Sequence, residues 1–179
     1  AVADGGASLK LSPVKLHDYE QCALVCDVVT GQPHRNRAFE RFTEEGPLAL
    51  LPNARGWALV WTAHPDHAQQ LVNMDAAAFC AQLREAFGAA LGAFALSGRR
   101  SVFPLRLKVA AETVAPRCIL IGNAAQTLHP VAGQGFNLGL RDVAALAEAV
   151  TDAVRLGLDP GDVTVLERYQ KWRRFDTAT

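Results

Sequence analysis

The chain has 179 residues, half of them hydrophobic, and its 18 basic and 18 acidic side chains cancel to a formal net charge of zero. That length buries a core in one large domain or two small ones, and the absence of a basic stripe argues against a nucleic-acid partner. No apolar run approaches the ~20 residues that span a bilayer.

The four cysteines, Cys22, Cys26, Cys80 and Cys118, form no C-x-x-C pair. Cys22 and Cys26 lie in an apolar run and read as small core residues, so a reducing, cytoplasmic setting is expected. His17, His34, His64 and His67 have no ligand spacing with thiols or carboxylates, and no metal site is expected.

In chain order, Ala1-Val2-Ala3-Asp4-Gly5-Gly6 reads as a strand end followed by a turn, which is odd for a natural start. Val14–Leu16 is a weak strand candidate, and the Val- and Leu-rich stretch 22–29 is a buried strand. A turn at 31–34 follows. Short strands are predicted at 38–42, 47–51 and 57–62, with turn residues between them, which is the spacing of an antiparallel meander.

Asp75 is placed to cap a helix, since its carboxylate can accept free first-turn N–H groups. Phe79, Leu83, Phe87 and Leu91 recur every four residues and give that helix one apolar stripe. Residues 101–109 form another strand, bent or at an edge because of Pro104. A short apolar strand is predicted over 117–122, a loop over 123–134, and a helix over 137–156 whose Leu138, Val143, Leu146, Val150 and Val154 line one side. Gly157 suits the residue after its end. Asp159-Pro160-Gly161-Asp162 opens a last helix with Leu166, Tyr169 and Trp172 toward a core. Its basic cluster, Arg168, Lys171, Arg173 and Arg174, reads as a solvated face.

The chemistry concentrates in Cys118–Asp142, CILIGNAAQTLHPVAGQGFNLGLRD. A hydrophobic strand ends at Gly122, a loop carries Pro130, Gly133 and Gly135, and a helix begins close to Phe136. Glycines let backbone N–H groups approach a ligand with no Cβ in the way. The helix start adds unpaired N–H groups and a positive dipole end, which favour an anion or developing negative charge. The plain alternative, glycines that only permit a tight loop, stays open on these residues alone. A Rossmann fingerprint fits poorly, because Leu138 stands where the third glycine should. No Gly-Lys-Ser/Thr marks a P-loop.

The run from Gly122-Asn123 through His129-Pro130 and Gly133-Gln134-Gly135-Phe136-Asn137 to Arg141-Asp142 resembles the second flavin-binding motif of the class A flavoprotein monooxygenases. Asn123, where most of that family has Asp, and Gln126, where His is usual, resemble the 2-polyprenyl-6-methoxyphenol hydroxylase branch of ubiquinone biosynthesis. Asp4-Gly5 is similar to the family's Asp-Gly motif, and Ala38–Pro52 resembles that branch's substrate-domain sheet.

The family opens with a βαβ unit whose G-x-G-x-x-G holds the ADP half of FAD. None precedes Asp4, so a truncated fragment is expected, inactive by itself because its ADP cradle is missing.

The resemblance implies an α+β fold: an antiparallel substrate-domain sheet with helices on one face, plus the C-terminal remnant of a FAD-binding domain. The implied division is a remnant of the FAD domain over 1–12, a substrate-binding sheet over 13–108, and the C-terminal part of the FAD domain over 109–179. The implied activity is hydroxylation of a polyprenylated phenol, using FAD, O₂ and NAD(P)H as co-substrate. Asp4, Gly5, Gly122, Asn123, Pro130, Gly133, Gln134, Gly135, Phe136 and Asn137 would contact the flavin. Pro130 would stand beside its ring, and His129 is a candidate acid or base.

Trp57, Trp61, Phe42 and Phe103 are apolar enough to line a substrate pocket or simply to fill a core. A polyprenyl tail is compatible with peripheral membrane contact or a ubiquinone-biosynthesis assembly, and exposed former interfaces with self-association. Two other readings stay open: a related flavin monooxygenase acting on another aromatic compound, and a non-catalytic binding or assembly domain.

Overall fold

The computed structural model describes residues 1–5, 12–128 and 134–177, without the side chains of 175–177. The chain forms two compact units, one of Tyr19–Leu105 and one of Ala1–Asp18 with Arg106–Thr179.

In the Tyr19–Leu105 unit lies most of strand β1 (Val14–Thr30), whose first residues belong to the other unit. With β2 (Phe39–Thr43), β3 (Gly46–Asn53) and β4 (Gly56–Ala63) it forms an antiparallel sheet in the order β2-β3-β4-β1. Its register pairs Leu24 with Trp61 and Cys26 with Leu59 across β1 and β4, and Leu48 with Trp61 and Leu50 with Leu59 across β3 and β4. Because side chains alternate along each strand, Leu24, Cys26, Val28, Leu48, Leu50, Trp57, Leu59 and Trp61 share one face. That face is buried under Ala68 and Leu71 of helix α1 (Pro65–Asn73) and Phe79 and Leu83 of helix α2 (Ala76–Phe87). Each such side chain contributes roughly 1.5–3 kcal/mol.

The predicted meander is present, its first strand shifted by one residue and the other two extended by one or two at their ends. The predicted first two strands are one, with Glu20 at φ 55° interrupting its extended backbone. Asp75 is the N-cap of α2, accepting from the Ala78 N–H at 2.8 Å. Helix α1, whose apolar stripe is only Ala68, Leu71 and Val72, was not predicted. It begins with Pro65 in its first turn, and Arg100 closes its far end by donating to the Leu71 and Met74 carbonyls. The short strand β5 (Phe94–Leu96), pairing with β1, was also not predicted. Trp57 and Trp61 are core residues on the helix-covered face, 1% and 3% exposed, so they line no open pocket. Phe42 and Phe103 are exposed.

In the other unit, the second half of β6 (Ser101–Ala110) pairs with the two-residue strand β9 (Gln126–Thr127). A tight hairpin, β7 (Val114–Ala115) and β8 (Cys118–Ile119), turns through Pro116 and Arg117. Arg117 takes a left-handed φ of 56° there, and its guanidinium grips Asp159 at 2.5 and 3.3 Å. Helices α3 (Gln134–Arg155) and α4 (Val163–Thr177) complete the unit. Ile119, Ile121, Ala149, Ala153, Val165, Leu166 and Tyr169 form its main core.

The α3 side expected to be buried is rotated. Asp142, Ala149 and Ala153 face inward, whereas Val143 and Val154 are 50% and 60% exposed. Small alanines win the inward positions because α4 packs closely against them, and the larger apolar side chains are left outside. Arg173 departs from the expected solvated face: it is buried beside Asp142. Among the described residues no helix is long and apolar enough to cross a membrane.

Candidate functional site

The site is built at the end of a short parallel pairing. Val2 runs parallel to Leu120, with the Val2 N–H donating to the Ile119 carbonyl at 2.7 Å and the Ile121 N–H to the Val2 carbonyl at 3.0 Å. Both segments therefore end on the same edge. Asp4 and Gly5 follow one, and Gly122 and Asn123 follow the other. Ligands of open parallel sheets gather outside such carboxyl ends.

At that edge the chain stops being a strand. Gly122 adopts a left-handed φ of 58° and starts a single 3-10 turn, Gly122–Ala124. The turn is anchored from behind by Asp142. Its carboxylate accepts from the Gly122 N–H at 2.8 Å through one oxygen and from Arg173 Nε at 2.5 Å through the other. Arg173 also donates to the Leu138 carbonyl of α3 at 3.3 Å. Both partners are shielded from water, with side chains 4% and 7% exposed. Such a pair holds geometry firmly, since leaving either charge alone in that setting is costly. Tyr169 lies in the same network. Burial, then the Asp142 carboxylate, push its phenol well above the usual range, so it stays protonated.

In front of the turn, Gly122, Asn123, Gly135, Phe136, Gly139, Leu140 and Val143 line an open hollow of about 410 Å³. Two glycines keep it open. A Cβ added at Gly122 or Gly135 would meet nothing within 4 Å, so the space in front of each backbone is empty. Gly139 does a different job. A Cβ there would stand 3.6 Å from the Gly122 Cα, an ordinary contact, which shows how near α3 lies to the turn. Gly135 and Phe136, in the first described turn of α3, bring that helix's backbone to the lining. The mouth is apolar: Phe136 is 78% exposed and Leu140 57% exposed. An open hollow floored by glycine backbone under an apolar rim suits a flat ring system rather than a hydrated ion.

The hollow thus brings together five sequence-predicted residues, Gly122, Asn123, Gly135 and Phe136 at its lining and Asn137 beside them on the first turn. Gln134 begins the helix, exposed. Asp4 and Gly5 stand at the neighbouring strand end, Gly5 with a left-handed φ of 72°. His129, Pro130 and Gly133 lie outside the described residues, as does the continuation of the Asp-Gly motif from Gly6 to Ser8. Sequence reasoning missed Arg173. Its one signal is a Tyr169-x-x-x-Arg173 spacing, which puts both residues on one side of α4, the side that carries Leu166 into the core.

The comparisons agree with this geometry. A model of the family described as "FAD binding domain" matches residues 2–175. The ubiquinone hydroxylase UbiL of Rhodospirillum rubrum is 44% identical over 159 residues, covering 88% of this chain and 37% of that protein. The 3-demethoxyubiquinol 3-hydroxylase of Escherichia coli is 36% identical over 179 residues, covering 97% of this chain and 46% of that protein. Among solved structures, PqsL from Pseudomonas aeruginosa, titled a probable FAD-dependent monooxygenase, superposes with a TM-score of 0.72 at 25% identity, over 96% of this chain and 50% of that one. The chain spans less than half the length of the curated relatives named here. With the family model matching nearly end to end, the chain belongs to the FAD binding domain family, and within it to the class A flavoprotein monooxygenases related to the ubiquinone hydroxylases.

Proposed function

We propose that this chain is part of a flavin-dependent hydroxylase that oxidises a polyprenylated phenol in ubiquinone biosynthesis, with NAD(P)H and O₂ as co-substrates. The observation that carries the reading is the hollow between the Gly122 turn and the first turn of α3, open at two glycines and rimmed by apolar side chains. The relatives whose names specify ubiquinone chemistry support the substrate class.

The residues fit the isoalloxazine and ribityl portion of FAD. The N–H groups of Gln134, Gly135, Phe136 and Asn137 are suited to the electron-rich pyrimidine edge, where a helix start stabilises negative charge by ~0.3–1 kcal/mol, or up to ~2 when partly buried. Asn123 can donate to and accept from a sugar-alcohol hydroxyl. Asp4 and Gly5 would support the same cofactor from the neighbouring strand end. Bound there, the flavin supplies the redox chemistry, and the protein's own part is to hold and tune it. On this reading the Ala1–Asp18 and Arg106–Thr179 unit belongs to the flavin domain, and the Tyr19–Leu105 sheet to substrate binding.

A hydrophobic tail on the substrate is also the reason to propose contact with a membrane surface or with other enzymes of the same route. The test is NADPH and NADH consumption by the full-length protein, with FAD, a polyprenyl phenol and a simple phenol compared. Stimulation by the prenylated phenol is expected. Flavin binding with stimulation only by simple phenols would shift the reading to a related aromatic hydroxylase, and absence of flavin binding would overturn it.

A further inference from the structure

The Gly122 turn is held from outside the hollow. Its N–H points at the Asp142 carboxylate, and that carboxylate is fixed by Arg173 from α4, a helix with no residue in the lining. Arg173 reaches the Leu138 carbonyl as well, one turn into α3. Asp142 itself stands on α3, so its carboxylate ties the turn directly to that helix, and the Arg173 guanidinium braces the tie from α4 through both Asp142 and the Leu138 carbonyl.

The contact is short, water-excluded and directional. A carboxylate oxygen aimed at a backbone N–H and a guanidinium aimed at the other oxygen leave little freedom of rotation. The turn closes on itself through the Ala124 N–H to the Ile121 carbonyl at 3.3 Å and the Ala125 N–H to the Gly122 carbonyl at 3.0 Å. Gly122 can occupy both halves of φ space, and the Asp142 carboxylate is the side chain that fixes its N–H.

We infer that Asp142 and Arg173 are positioning residues of the flavin site, setting the separation and orientation of the Gly122–Asn123 turn and the first turn of α3 without touching the cofactor. The inference rests on the reading that FAD occupies the hollow. It makes α4 a determinant of flavin binding, although it lies behind the site.

The test separates positioning from mere stability. Replacing both charges by apolar residues, Asp142→Leu with Arg173→Leu, removes the acceptor for Gly122 without stranding a buried charge, a change that folded proteins often tolerate. Asp142→Asn is the milder second variant: it nearly keeps the shape, discards the charge, and serves if the double variant fails to fold. In the full-length protein, three quantities are measured: hydrogen exchange at the Gly122 amide, the FAD dissociation constant, and the visible circular dichroism of the flavin at saturation.

The expected result is Gly122 exchange at least ~10-fold faster, FAD affinity weaker by on the order of 10-fold, and an altered flavin dichroism. Protection at Leu24 and Leu59, in the other unit, stays as in the unmodified protein. If the unmodified protein binds FAD and both variants bind it equally well with the same dichroism, the positioning role is overturned while the flavin reading stands. If the unmodified protein binds no FAD, the flavin reading itself fails and the positioning role falls with it.

Discussion

Cys26 shows how a single side chain reports its surroundings. It sits on the helix-covered face of the sheet, and burial, partly offset by the Arg100 charge, raises its thiol from 9.0 to about 12. It should resist thiol reagents in the folded protein at pH 8, where reaction needs the thiolate. The stability consequence has a definite sign. Between about pH 9 and 12 the unfolded chain releases this proton while the folded chain keeps it, so stability falls as pH rises through that window. The slope is at most ~1.4 kcal/mol per pH unit. Urea melts at pH 8 and pH 10.5 of the parent and of Cys26→Ala check it, the variant losing this part of the dependence.

The same scale explains what the sequence could and could not disclose. Gly122, Asn123, Gly135 and Phe136 were named through the family motif, since glycines between a strand and a helix can equally serve only a tight loop, and the structure places all four around one hollow. Arg173 was not named, since a basic cluster on a helix is ordinarily solvated and only the opposing Asp142 makes burial of one member tolerable. Removing one partner alone, as in Arg173→Leu, should cost ~3–5 kcal/mol, read as a lower midpoint in thermal melting. Gly56 is a further position where chemistry follows from space. Its φ is +132°, and a Cβ would stand 2.7 Å from the Val28 carbonyl. Gly56→Ala should destabilise by roughly 2–3 kcal/mol, measurable by denaturant unfolding.

At the scale of elements, strands β2 to β4 were readable because turn residues bracket alternating or β-branched runs. Helix α1 was not, because its nine residues, PDHAQQLVN, bury only Ala68 and Leu71. Tertiary contacts supply what its sequence lacks: Arg100 binds its terminal carbonyls, and His67 and Glu45 pair at 2.6 Å. Helix α2, by contrast, declares its start. Asp75→Ala should cost ~1 kcal/mol through loss of the bond to the Ala78 N–H, seen as a shifted unfolding midpoint with unchanged slope. The orientation of α3 was misread because its large apolar residues divide between core and exterior. Phe136, Leu140 and Val143, at i, i+4 and i+7, lie together on the exposed rim of the hollow. Periodicity alone cannot tell a core face from a ligand-facing one.

For the whole molecule, the sequence contains no G-x-G-x-x-G turn with which to cradle a pyrophosphate. The 179-residue chain alone is therefore expected to hold FAD weakly, losing it on gel filtration, whereas the full-length protein retains it. Co-elution of a stoichiometric flavin with this chain alone would contradict that expectation. The antiparallel meander follows from strand and turn spacing, but the fold class and the site needed the motif, because nothing in the hydrophobic pattern distinguishes a flavin hollow from an ordinary helix–loop junction.

The most direct measurement is hydrogen–deuterium exchange of the full-length protein with and without FAD, resolved to peptides covering 120–125 and 134–140. The account predicts slowed exchange in both segments on FAD addition, with the β3 and β4 core unchanged. Saturating FAD that leaves both segments unaltered, with protection only elsewhere, would contradict it.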